Sequence, residues 1–345
     1  MTKLPRYRTG KPKLDEHIAE IITEADLRGD DDDLVFEMMV TALRMGLEDV
    51  DRADKKLVNA ALKELRYAFH VFGPYQGIPK CTIFGSARIK PGDPAYEAAK
   101  EFGAKMAELE WMVMTGAGPG IMAAGLEGAG AENSFGINIV LPFEASANEI
   151  IADDPKLINF RYFFTRKVTF MKESQGYAIL PGGFGTMDEA FELLTLMQTG
   201  KTFLAPVVLL DPPGSTYWER WRAFVVDELL SDGLISEADM GLVFITNSVE
   251  DAANEVNRFY RTYHSSRAVG HRLVIRTKRE IRDDELGALN RDFDDIIEEG
   301  AIERISATDS EIRDDDNLDL HRIAFRFNRH GYARLRLLID ALNNV

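Results

Sequence analysis

The stretch AILPGGFGTMDEAFELL, Ala178–Leu194, decides how this chain is read. An apolar run ends at Pro181, and glycines follow at 182, 183 and 185. Thr186, Asp188 and Glu189 come next, and from there apolar residues recur at helical spacing. This is the composition of a strand-to-helix corner. Glycine lets another group approach the backbone closely, and the first turn of a helix offers N–H groups that lack acceptors.

On both sides of this corner the chain alternates in the same way. CTIFGS, WMVMTG, SFGINIVL, YAILPGG, PVVLLD and GLVFIT are short β-rich runs. Between and after them stand helical patterns: PAYEAAKEFGAKMAELE, PGIMAAGLEGAG, FRYFFTRKVTFMKES, TMDEAFELLTLMQTG, TYWERWRAFVVDELL and VEDAANEVNRFYR. Short buried-type strands alternating with helices predict βαβ units and a parallel sheet covered on both faces. The expected fold is α/β, a Rossmann-like doubly wound sheet over residues 77–263. Residues 1–76 read as a helical N-terminal region. Its third helix, roughly Asp51 to Phe72, is broken by FGPYQGIP, and the acidic run Asp30 to Asp33 is expected to cap the second helix. Residues 264–345 read as a small α+β appendage. HRLVIRT and HRIAFRFN are its strands, and RDDELGALNRDFDDIIEEG and YARLRLLIDALN its helices.

The whole chain narrows the function. With 345 residues, 45% of them hydrophobic, it can build a sizeable core. No stretch approaches the roughly 18 consecutive apolar residues of a membrane span. The N-terminus MTKLPRYRTGKPKLDEH has no apolar segment of the leader type, so a cytoplasmic protein is expected. One cysteine, Cys81, cannot make an internal disulfide. A net charge of −16 argues against nucleic acid as a partner and leaves room for a local anion pocket. The six histidines show no metal-ligand spacing, so no metal is expected.

In open parallel sheets ligands sit at the carboxyl ends of strands. Three corners there have suitable residues: FGSAR (84–88, with Ser86), TGAGPGIM (115–122, with Gly116, Gly118 and Gly120), and the opening stretch. GAGPGIM is not the dinucleotide fingerprint. Its third glycine comes one place early, and no ribose-binding acid ends the next strand. Thr186 suits a helix cap or a phosphate. Asp188 suits either the helix dipole or a ligand, and Glu189, four residues past Gly185, can reach the mouth of the loop.

Upstream, Lys156, Arg161, Arg166, Lys167 and Lys172 fall in one acid-free segment. At about 100° per residue, Phe160, Phe163, Phe164, Val168 and Met171 form an apolar stripe that contains Lys167. Arg166 lies on the other side, between Tyr162 and Phe170. A buried ammonium calls for an anionic partner.

The Arg166-Lys167 pair, followed by a strand and PGGFGTMDE, resembles the LOG (Lonely Guy) family, whose pattern is PGGxGTxxE. Ala117 stands where many members have a third consecutive glycine. The resemblance spans roughly Lys80 to Phe259, and the extra end regions are similar to the longer bacterial members. It implies cleavage of the N-glycosidic bond of a nucleoside 5′-monophosphate of the AMP or cytokinin riboside type, giving free base and ribose 5-phosphate without a cofactor. It makes Arg166 and Glu189 the catalytic pair. Ser86, Gly116, Gly118, Gly120, Lys167, Gly182, Gly183, Gly185, Thr186 and Asp188 would hold the substrate. Glu144 and Glu149 would approach the sugar or base. A homodimer or larger assembly is implied. Decarboxylation through pyridoxal phosphate, an activity attached to some members, needs a Schiff-base lysine that nothing here singles out. The rival reading is a nucleotide or molybdenum-cofactor carrier without turnover, and a third is a nucleosidase that also senses nucleotides through its end regions.

Overall fold

The computed structural model describes residues 5–27, 31–141 and 147–344. The chain forms two compact units, Met1–Glu64 and Leu65–Val345. The first holds α1 (Pro12–Ala25), α2 (Asp32–Leu47) and the start of α3 (Arg52–Phe72). Proline at the first turn of α1 suits a position whose N–H has no acceptor. Asp15 ties that turn to the preceding loop by accepting from Thr9 N (3.0 Å) and Thr9 Oγ1 (2.7 Å). Ile18 and Ile22 meet Phe36 and Val40 in a small core. The acidic run does not cap α2 through its N-cap side chain, since Asp31 makes no such bond. Asp32 and Asp33 instead occupy the first turn, where they complement the helix dipole. Asp30 lies outside the described residues.

The second unit opens with the end of α3 and continues as a doubly wound α/β fold. Its elements are β1 (Lys80–Phe84), α4 (Pro94–Glu108), β2 (Met112–Thr115), α5 (Ile121–Ala129), β3 (Ser134–Ile139), β4 (Leu157–Phe160), α6 (Phe163–Glu173), β5 (Gly176–Ile179), α7 (Phe184–Gln198), β6 (Val207–Leu210), α8 (Tyr217–Phe224), β7 (Phe244–Thr246) and α9 (Val249–Arg258). The seven strands run parallel in the order β4-β3-β2-β1-β5-β6-β7. The direction of winding reverses between β1 and β5, which opens a crevice at their carboxyl ends. Both faces are covered. Cys81, Ile83 and Val113 pack with Phe102, Ile121 and Val256 on one side. Met112, Met114 and Ile179 pack with Phe170 and Leu193 on the other.

The chain ends in β8 (Tyr263–Val269), β9 (Arg272–Thr277), α10 (Asp283–Asp292), β10 (Ile297–Arg304), α11 (Asp309–Arg313), β11 (His321–Phe327) and α12 (Tyr332–Asn343). The strands pair antiparallel in the order β10-β11-β9-β8. Ile275, Ile323, Phe325 and Leu338 belong to the same core cluster as Ile179 and Leu193, so the appendage continues the main core. Buried Glu311 accepts from Arg276 (2.8 Å) and Arg322 (3.2 Å), which leaves none of the three charges unpaired.

The α/β expectation holds, with three corrections. The segment Leu157–Phe160 is a seventh strand, so Phe160 belongs to β4 and α6 starts at Phe163. Tyr263–Val269 is a strand rather than a boundary. Ile297–Arg304 is a strand, although its first residues carry the helical-looking pattern of α10 onward. Only Ile302 is buried in that edge strand, and its charged neighbours are exposed, so no period-two signal survives. No helix among the described residues is long and apolar enough to cross a membrane.

Candidate active site

The three glycine corners meet at the carboxyl ends of β1, β2 and β5. Backbone hydrogen bonds lock them together: Ser86 N donates to Pro181 O (3.1 Å), and Ile121 N to Ser86 O (3.1 Å). Gly120 has φ +70°, and a Cβ there would lie 2.4 Å from Ser86 O, so only glycine fits between the first two corners. Ala117 also adopts a left-handed conformation, φ 59°, which explains why a glycine suits this position better. Its N–H donates to Thr115 Oγ1 (3.1 Å), and its carbonyl accepts from Asn148 Nδ2 (2.9 Å).

A cleft of about 790 Å³ opens over this junction. Ser86, Gly116, Gly182, Gly183, Gly185, Thr186, Asp188, Arg166 and Glu189 line it, so the fold brings together most of the residues singled out from the sequence. A Cβ on Gly183 or Gly185 would meet nothing within 4 Å, so both glycines leave their backbone open to a ligand. A Cβ on Gly182 would lie 2.1 Å from Thr186 Oγ1. Helix α7 starts at Phe184, two residues earlier than Thr186, and Thr186 therefore stands in its first turn instead of capping it. Gly118 and Gly120 shape the second corner without lining the cleft.

Arg166 and Glu189 both line the cleft and act on each other's charge. Arg166 Nε donates to Ile137 O (2.8 Å), and its guanidinium lies 5.3 Å from the Phe170 ring centre. The guanidinium end fits against Gly116, where a Cβ would come within 2.3 Å of it. Burial lowers the Arg166 pKa and Glu189 opposes that shift. Glu189 is 5% exposed, and its Oε2 has no hydrogen-bond partner. Burial pushes its pKa from 4.5 up to about 7, against the pull of Arg166 and Lys167. A buried carboxyl with a free oxygen, beside a fixed cation and an open glycine loop, is what proton transfer or stabilisation of a developing positive charge requires.

Lys167 turns away from the cleft. Its ammonium pairs with Asp188 (2.8 Å) and Glu192 (2.6 Å) on α7. Burial opposes its charge, but the two carboxylates prevail and its pKa is raised. The stripe expected to be the buried face of α6 is split. Phe163, Phe164 and Val168 are about half exposed, while Met171 is buried as expected, together with Thr165, Thr169 and Phe170 from outside the stripe. The buried hydroxyl of Thr169 is satisfied within the helix by Thr165 O (2.8 Å), which lets a polar residue face the core. Glu149 is exposed and does not line the cleft, and Glu144 lies outside the described residues.

Two lining residues were not singled out from the sequence. Tyr217 donates its hydroxyl to Gly182 O (2.6 Å) and braces the glycine loop from α8. Arg88 lines the cleft and makes no ion pair among the described residues. It stands in FGSAR, where its charge could have drawn attention.

Residues 115–256 match a family model described as "Possible lysine decarboxylase". The site does not fit that description. Among the described residues no lysine lines the cleft, and Lys167 is held charged, whereas a Schiff-base lysine must be a free amine. The chain is 31% identical over 158 residues to the cytokinin riboside 5′-monophosphate phosphoribohydrolase of Mycobacterium tuberculosis, covering 45% of this chain and 82% of that protein. It is 26% identical over 157 residues to the enzyme of the same name from Mycobacterium marinum, covering 45% and 82%. Among solved structures it is similar to the molybdenum cofactor carrier protein of Chlamydomonas reinhardtii, at 22% identity and a TM-score of 0.37, over 52% of this chain and 97% of that one. The glycine corners, the Arg166/Glu189 pair and the mycobacterial match agree, and the chain belongs to the LOG family, that of the cytokinin riboside 5′-monophosphate phosphoribohydrolases.

Proposed function

We propose that this protein hydrolyses the N-glycosidic bond of nucleoside 5′-monophosphates of the AMP type, cytokinin riboside monophosphates included. The bond from the sugar C1′ to the base nitrogen breaks, water supplies the new oxygen at C1′, and the base leaves with a proton. The observation that carries this reading is Glu189, a buried carboxyl with an unpartnered oxygen set beside the glycine loop. Departure of the base builds positive charge on the ribose ring. The Glu189 carboxylate stabilises that charge and takes a proton from the attacking water.

The first N–H groups of α7, left open by Gly183 and Gly185, receive the 5′-phosphate together with Thr186 and Arg88. Arg166 stays charged and is a poor proton donor, so its work is electrostatic: it holds the phosphate or the leaving base. Lys167 acts indirectly, by fixing Asp188 and the first turn of α7. A cofactor carrier would need the loops but has no use for a buried, half-protonated acid facing them.

The protein acts as a homodimer or larger homo-oligomer in this reading. Phe163 is 50% exposed and Phe184 96%, both lining the cleft, where a second copy would cover them. The mass in solution checks this. The activity is tested by incubating the pure protein with AMP, GMP, CMP, UMP, IMP and isopentenyladenosine monophosphate, with adenosine and ATP as controls. Free base from monophosphates only, released about 10³-fold more slowly with Glu189→Ala, is the expected result. No base from any monophosphate would refute the reading.

A further inference from the structure

At the amino ends of β1, β2 and β5, opposite the catalytic cleft, lies a second basin of about 900 Å³. Pro79, Trp111 and Gln175, each the residue immediately before one of those strands, belong to its lining. Arg258 and Arg261 reach it from the end of α9, His264 from β8, and Lys278 from just past β9. Among the described residues no aspartate or glutamate lines it.

Four basic side chains converge here in a chain of net charge −16. Arg261 and Lys278 make no ion pair among the described residues. Arg258 reaches Glu255 (2.6 Å), but that carboxylate is shared with buried Arg336 (2.7 Å). Partial desolvation at the basin wall lowers the Lys278 pKa, with no carboxylate to oppose it. Burial, then Lys278 and Arg276, lower that of His264. Holding Arg261 and Lys278 beside Arg258 with a single shared carboxylate nearby leaves positive charge in excess, and a bound anion offsets that repulsion. The basin is far larger than a single inorganic ion needs. The amides of Gln76, Asn254 and Asn257 supply donors and acceptors around the cations. All four basic residues also follow position 256, where the family match ends. The four basic residues thus lie beyond the matched segment, while Gln175 and Asn254 of the lining fall within it.

The geometry points to a second ligand site, one that takes a small molecule bearing two or more phosphate groups. Guanidinium forks at 258 and 261 grip phosphate oxygens in pairs, and Lys278 adds a point charge. Trp111 lines the basin, while the other two tryptophans, Trp218 and Trp221, do not, so binding is readable by fluorescence.

The test is titration of the full chain with pyrophosphate and with citrate, by calorimetry and tryptophan fluorescence, for the wild type, Arg261→Ser/Lys278→Ser and Arg88→Ser. Pyrophosphate is expected to bind the wild type and Arg88→Ser alike, and at least tenfold more weakly the double variant. Citrate is expected to bind more weakly than pyrophosphate. Equal affinity in the double variant, no binding to the wild type, or loss of binding in Arg88→Ser would overturn the site. Tighter binding of citrate would overturn its phosphate character. Both substituted residues are exposed and unpaired, so the double variant keeps its fold.

Discussion

At their carboxyl ends β1, β2 and β5 turn on glycines and bury one cation against one acid. At their amino ends the same strands begin from Pro79, Trp111 and Gln175, and cations gather there on solvent-facing arms. The strands are four or five residues long, so the two ends stand about 15 Å apart at about 3.3 Å per residue. The contrast separates two ways of receiving an anion. In the proposed reading the cleft holds its phosphate chiefly on the backbone and the helix dipole, with Thr186 and Arg88 beside them. The basin relies on side chains, its basic groups and the amides of Gln76, Asn254 and Asn257. A backbone cradle is rigid and suits a reaction, whereas flexible arms suit a ligand that is only held.

Removing the acid is the largest expected break in this contrast. Glu189→Ala lowers base release by about 10³-fold, within the range for a positioned acid–base group, and leaves pyrophosphate binding at the basin unchanged. Blocking the cradle comes next. Gly182→Ala drives a Cβ to 2.1 Å from Thr186 Oγ1, and Gly116→Ala to 2.3 Å from the Arg166 guanidinium. Each is expected to lower kcat/KM by about 10²-fold through misplacement, seen in steady-state kinetics.

The third prediction concerns pH. Glu189 acts as the carboxylate, so kcat/KM rises with pH and levels off above an apparent pKa of about 7. Stability runs the other way. The folded-state pKa is raised, so the folded protein holds a proton that the unfolded chain releases. The wild type therefore loses stability as pH rises from 4.5 to about 7. At about 1.4 kcal/mol per pH unit that separation is worth roughly 3 kcal/mol. Glu189→Gln escapes the loss, so it should be the more stable protein at pH 8 and equal to the wild type below pH 4.5, as read from urea melts. The smallest effect sharpens the comparison from the other end. Arg261→Ser/Lys278→Ser should leave kcat/KM for AMP within twofold and stability within about 0.5 kcal/mol, because neither residue touches the cleft or holds a partner.

Much of the fold was legible. Six of the seven parallel strands are short apolar runs next to helical patterns, and such runs need no long-range information to be recognised. β4 was not, because LINF runs without a break into the basic segment that forms α6. β10 was hidden because one inward isoleucine among exposed charges makes no alternation. The α6 stripe misled for a physical reason. Phe163, Phe164 and Val168 look like a core face, yet the sheet packs on the threonine side, whose hydroxyls find acceptors inside the helix.

By itself the sequence determined the corners and the candidate pair. Glycines, the threonine and Glu189 stand within eight residues, because a tight turn, a helix start and a side chain one turn later are local requirements of the backbone. Only the tertiary structure decided the electrostatics. It buried Glu189 with a free oxygen, sent Lys167 to Asp188 and Glu192, brought Tyr217 under Gly182, and collected Arg258, Arg261, His264 and Lys278 from three elements into one basin. Burial and the distance between charges depend on where remote segments come to rest, and no spacing along the chain records that.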